Sequence, residues 1–150
     1  MTLRRYFEDL SVGEVRVSST RCIERDELIN FARVYDPQYF HADPSTAGES
    51  FFGDIIASGI HVMAIWRQLD HEIAQDIAWI CGLAWRNVIF KTAVRGGDIV
   101  HARSECLTKR PSASDPRRGI VEYQYQLIKS DGTLAWECES VNLVERRTEP

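Results

Sequence analysis

What most constrains this chain is one strongly apolar helix followed by a run of strands. Ser58-Gly59 opens the helix. Ile60, Met63, Ala64, Ile65, Leu69, Ile73 and Ile77 form a wide apolar stripe along it, with Arg67, Gln68, Asp70, Glu72 and Gln75 largely opposite. A stripe that wide must be covered, and the strand candidates to cover it follow directly, over residues 80–92, 98–108, 120–129 and 133–144. The third alternates cleanly: Val121, Tyr123, Tyr125 and Leu127 fall on one face, Glu122, Gln124 and Gln126 on the other. Asp131-Gly132 is a strong hairpin signal between the last two. A helix followed by consecutive strands predicts an α+β domain, an antiparallel sheet wrapped around one long central helix. A lone curved sheet keeps free edges, so pairing with a second copy into a homodimer is expected.

Upstream, Val15 and Val17 suggest a short strand over residues 15–19. Ile23, Leu28, Phe31, Ala32 and Tyr35 then recur at helical spacing, which predicts a helix over residues 20–35 ending before Asp36-Pro37. Residues 36–57 read as irregular, with one helical turn over 44–49 behind Asp43-Pro44. An irregular stretch of that length inside a small domain points to function. Residues 109–118 read as a flexible polar loop and 145–150 as a frayed tail. No repeat or linker interrupts the chain, so residues 1–150 are expected to form one domain.

Composition narrows the function. With 18 Lys and Arg against 22 Asp and Glu the net charge is −4, so the basic face typical of nucleic-acid binding is missing. The longest apolar run, residues 77–85, is far short of the ~20 residues of a membrane span. Arg4 and Arg5 are followed by Glu8 and Asp9 where a signal peptide needs an apolar core, so the chain is expected to be cytoplasmic. Cys22, Cys81, Cys106 and Cys138 are scattered, without a CxxC pair or zinc-ligand spacing, and read as small core or strand residues. The absence of a phosphate-binding glycine loop or a ligand cluster predicts chemistry without metal or organic cofactor.

The residues that could do chemistry sit in the irregular stretch. Asp36 and His41 lie five residues apart among aromatics, and Pro37 and Pro44 stiffen the chain around them. An acid beside an imidazole suits proton transfer near neutral pH. A turn aspartate and a solvated loop histidine fit the same residues. Ser58 reads equally as a helix N-cap, and His61 as a residue packed under a loop. Arg103, Lys109, Arg110, Arg117 and Arg118 could meet phosphates or simply be solvated, and Trp66, Trp79, Trp85 and Trp136 fit core and interface better than a binding box.

Asp36-x-x-x-x-His41 with Ala47 six residues on resembles the hydratase-2 motif of MaoC-like dehydratases and R-specific enoyl-CoA hydratases. Tyr6-Phe7-Glu8-Asp9-Leu10 with Gly13, Phe52-Gly53, Ile56-Ala57-Ser58-Gly59 and Gly97-Asp98 extend the resemblance over nearly the whole chain. It implies a hotdog fold and an acyl-CoA or acyl-carrier thioester substrate. It further implies reversible addition of water to a trans-2-enoyl thioester, giving a 3-hydroxyacyl thioester. Asp36 and His41 would activate the water, the Gly59 N–H would hold the thioester oxygen, and Ser58, His61, Phe40 and Phe52 would line the substrate site. Two features depart from the stricter family pattern, Gly-Asp-x-Asn-Pro-x-His. Tyr35 stands for its glycine, and Gln38-Tyr39 for its Asn-Pro. Ala64 takes the place of a helix serine that supports the acid in some R-hydratases, so here the acid needs another support. A hotdog thioesterase and a non-catalytic acyl-CoA-binding hotdog protein are the rival readings.

Overall fold

The computed structural model describes residues 3–147. The strands are β1 (Val15–Val17), β2 (Arg21–Cys22), β3 (Trp79–Phe90), β4 (Ile99–Pro111), β5 (Arg118–Lys129) and β6 (Leu134–Glu145). The helices are α1 (Arg25–Tyr35), the short α2 (Tyr39–Ala42) and the long α3 (Gly59–Ala74). One antiparallel sheet runs β1-β4-β5-β6-β3, with β2 also on β4, and it wraps α3 in the hotdog arrangement. None of these helices is long and apolar enough to cross a membrane.

The core follows from the two periodicities. Val62, Ile65, Trp66 and Leu69 on one side of α3 meet Ala102, Val121, Tyr125, Leu127 and Trp136 from the sheet, all buried. Trp66 anchors the contact, its ring 4.3 Å from Tyr125 and 5.2 Å from Trp136, centroid to centroid. All four cysteines are free, Cys106 and Cys138 in this core and Cys22 and Cys81 exposed. Gly119 in β5 has a packing reason, since a Cβ there would stand 2.1 Å from the Phe7 ring.

Several boundaries differ from the sequence expectation, each for a tertiary reason. α1 starts at Arg25 rather than residue 20, because Arg21 and Cys22 are taken up by β4 opposite Val100 and Ile99. The next residue, Ile23, exchanges backbone hydrogen bonds with Asp98 and Gly97. α3 stops at Ala74, yet Ile77 remains buried beyond it. β4 and β5 extend past the expected limits, so the polar loop shrinks to residues 112–117. The expected frayed tail is strand through Glu145, and Arg146 and Arg147 pair with Glu8 and Asp9; residues 148–150 lie outside the described ones.

β3 is the exception to burial. Among the described residues it pairs only with β6, with register shifts at three points and Asn87 at φ 51°, which bend and twist it. Leu83 and Phe90, both 53% exposed, show how little of this apolar edge strand is covered.

Candidate active site

The stretch from α1 to α3 is ordered by a few specific contacts. Pro37 stops α1, and Asp36 leaves the helix with φ −153°. The chain then folds into α2, so His41 sits in a short helix rather than in a loop. Four residues cannot sustain a helix alone. α2 is held from outside: the Ile56 N–H donates to Phe40 O (3.1 Å), and His41 Nδ1 lies 2.8 Å from Ile56 O. The helical turn expected over 44–49 is a turn after Asp43 leading into a 3-10 turn at Ala47–Glu49, with Asp43 Oδ1 accepting from the Ser45 N–H (2.9 Å).

These contacts bring the expected acid and imidazole together. His41 Nε2 lies 3.6 Å from Asp36 Oδ2, beyond direct hydrogen-bond length and close enough for both to reach one water. The tautomer follows from the other ring nitrogen. A carbonyl only accepts, so Nδ1 carries the proton toward Ile56 O, and in the neutral ring Nε2 offers its lone pair. Asp36 is kept as an acceptor too. The Ser58 hydroxyl donates to its Oδ2 (2.6 Å) and the Gln38 amide to its Oδ1 (2.9 Å). Ser58 first, then Gln38, hold the Asp36 carboxyl below the usual carboxylate range, because both bonds favour the charged form.

Ser58 thus supplies the support that Ala64 does not. It occupies the N-cap position of α3 but makes no side-chain capping bond, since its hydroxyl is spent on Asp36. Gln38, which stands where the stricter pattern has Asn, binds the acid through its side-chain amide. The signal for Gln38 was its two-residue spacing from Asp36. No local signal links Ser58 to Asp36 across 22 positions.

A cavity of about 340 Å³ opens beside the pair, lined among others by His41, Phe52, Ala57, Gly59, Phe90 and Val94. Gly59 stands at the first turn of α3, where backbone N–H groups lack intrahelical acceptors and the helix dipole favours an anion. Phe90 closes in on it: its ring atoms lie 2.9 Å from where a Cβ at position 59 would be. Only glycine leaves this approach open. Phe90, distant in sequence, carries no motif that would have marked it.

Phe52 lines the cavity, whereas Phe40 turns its ring to His41 (4.4 Å) and Phe52 (5.8 Å) behind the lining. His61 lies outside the lining, stacked on Phe31 at 4.1 Å, with Nε2 3.5 Å from Glu27. Most of the basic residues considered for phosphates are engaged elsewhere. Arg103 pairs with Glu105, Lys109 donates to Phe7 O and Leu10 O, and Arg117 and Arg118 face Asp115.

Residues 10–126 match the MaoC-like domain family. The chain belongs to that family. Among curated proteins, an uncharacterized protein of Bacillus subtilis, YdeM, is 31% identical, covering 93% of this chain and 98% of that one. Among solved structures, the MaoC-like dehydratase of Rhodospirillum rubrum is 31% identical with a TM-score of 0.84, covering 97% of this chain and 99% of that one. The R-hydratase PhaJ1 of Pseudomonas aeruginosa shares the fold at 22% identity, with a TM-score of 0.74 over 97% of this chain and 93% of that one. This MaoC-like chain thus shares a full-length fold with proteins bearing those names.

Proposed function

We propose that this MaoC-like protein is an acyl-thioester hydratase/dehydratase, adding water reversibly to a trans-2-enoyl-CoA to give a 3-hydroxyacyl-CoA. The observation that carries this reading is the pairing of two proton acceptors, Asp36 and His41 Nε2, 3.6 Å apart beside a cavity that a helix N-terminus also borders.

A water donating one hydrogen to each acceptor turns a lone pair toward the substrate. Its oxygen bonds to C3 as one proton passes to Nε2, and the C2–C3 π electrons move onto the thioester oxygen. The Gly59 N–H, aided by the dipole of α3, holds that oxyanion. Asp36 steadies the imidazolium, which returns the proton to C2 as the carbonyl re-forms. Water has been added and the pair is restored. Dehydration runs the same steps backwards.

The primary test is the loss of conjugated enoyl absorbance when short enoyl-CoAs meet the purified protein. Release of free thiol instead would identify a thioesterase. Tight acyl-CoA binding without either signal would identify a binding protein.

Ser58 enters as a positioning residue. Ser58→Ala removes a bond that favours the ionised acid, so the titration profile of the Asp36 carboxyl, followed by its NMR chemical shift, moves to higher pH. A fall in kcat of about tenfold should accompany it, as for loss of a charge-assisted bond. A profile that stays in place would remove this role.

A second copy completes the unit in this reading. β3 presents an unpaired backbone edge with Ile80, Leu83, Trp85 and Phe90 exposed, a combination that isolated sheets avoid. Pairing there would cover the open flank of the Gly59–Phe90 cavity. Sedimentation should show a dimer at micromolar concentration, and a persistent 17.2 kDa species would refute it.

A further inference from the structure

The cavity at Gly59 has an open end and a buried one. Lys91 and Thr92 at its rim are exposed, whereas Val62, Val94 and Ala135 further in are almost fully buried. A thioester entering past the rim therefore sends its acyl tail toward these three apolar side chains. The tail then follows α3, because Val62 lies about one helical turn in from Gly59.

What stands beyond them is aromatic. Trp66 follows Val62 by one turn of α3, Trp136 follows Ala135 in β6, and Phe90 pairs with Trp136 in the β3–β6 register. Between ring centroids Trp66 lies 5.2 Å from Trp136 and 5.8 Å from Trp85, and Trp85 lies 6.2 Å from Trp136. Each indole is thus in aromatic contact with the other two. Tyr125 backs Trp66 at 4.3 Å. A second cavity, of about 280 Å³, is lined among others by Trp66, Trp85 and Tyr125. Among the described residues the two cavities share no lining residue. The packed indoles separate them, and Trp66 stands about 10 Å from Gly59 along the helix axis.

We infer that the three indoles are the end wall of the acyl cavity, and that Trp85 is the residue that fixes the length of acyl chain this protein accepts. Trp66 and Trp136 are fully buried and held in the core, while Trp85, on the edge strand, is the least buried of the three and completes the closure. A close-packed wall does not take extra methylenes without strain. A hexenoyl tail ends before it, and a dodecenoyl tail runs into it. The inference rests on the hydratase reading, which places the thioester carbonyl at Gly59. It narrows the substrate class to trans-2-enoyl thioesters of butenoyl to hexenoyl length.

The test is the ratio of kcat/KM for trans-2-hexenoyl-CoA to that for trans-2-dodecenoyl-CoA. Wild type should favour the shorter substrate by roughly 100-fold or more, since a single methylene in a hydrophobic pocket already discriminates by about 10- to 200-fold. Trp85→Ala removes the edge ring, and the space it leaves adjoins the second cavity. Its kcat/KM for the dodecenoyl substrate should rise by about tenfold or more in absolute terms. Damage to the fold or to subunit pairing does not produce such a gain. Leu83→Ala trims the same exposed strand outside the wall and should leave the ratio unchanged. If wild type hydrates both substrates equally, or Trp85→Ala keeps the wild-type ratio, the wall is refuted and the hydratase reading stands. A second arm measures calorimetric binding of the saturated hexanoyl-CoA and dodecanoyl-CoA to wild type and Trp85→Ala. If wild type hydrates neither enoyl substrate, the hydratase reading falls, and the same comparison made on binding constants upholds or overturns the wall.

Discussion

Replacing His41 with Ala, or Asp36 with Asn, is expected to lower kcat for enoyl-CoA hydration by about 10²–10⁴, the usual loss for an acid–base group. The two changes remove different things. His41→Ala takes away the Nε2 lone pair and leaves Ile56 O without its ring donor. Asp36→Asn keeps an oxygen able to accept from Ser58 but removes the charge that steadies the imidazolium. Both groups act mainly on the transition state, so kcat and kcat/KM should fall together. The double variant should be little worse than either single one, because the pair works on one water. Steady-state rates of enoyl absorbance loss, with circular dichroism confirming the fold, provide the measurement. Wild-type rates in either variant would exclude that residue from the chemistry.

The largest expected stability effect lies in the wrap of the sheet around α3. Trp136 is fully buried, 5.2 Å from Trp66 and 6.2 Å from Trp85 between ring centroids. Trp136→Ala should cost about 3–5 kcal/mol, because the lost apolar contacts come with a cavity that the surrounding rings fill only partly. In a domain of this size that corresponds to a Tm lowered by roughly 10 °C or more. Its indole N–H has no partner among the described residues, so Trp136→Phe loses contact area but no hydrogen bond and should cost clearly less than the alanine change. Denaturant midpoints at unchanged m decide between them. If Phe proves as damaging as Ala, a polar contact of the indole is the cause.

Trp136 also shows why much of the fold could be read from the chain. Its strand, like β5, places large apolar residues where a sheet facing one helix needs them, and period-2 and period-3.6 patterns are local properties. Arg21 and Cys22 show the limit. Their sequence continues a helical pattern, but the free backbone edge of β4 next to them offers ladder hydrogen bonds that a frayed helix end does not. β3 shows another, because its composition reads as core while it lies at an exposed edge. Only topology says which strand comes last.

The site divides in the same way. Asp36 and His41 were visible as an acid and an imidazole beside a helix stop, with a turn and a solvated loop as equal readings, and the family resemblance singled out the pair and added Gly59. Their relations were not. The Ser58 hydroxyl on Asp36, the Ile56 carbonyl that sets the His41 tautomer, and the Phe90 ring over Gly59 join residues 15 to 31 positions apart. The sequence by itself determined the elements and the residue types able to move a proton, since both depend on local pattern and side-chain chemistry. Only the tertiary structure decided which of them face one another, because distances, burial and hydrogen-bond partners arise when distant segments pack, and those set charge and tautomer.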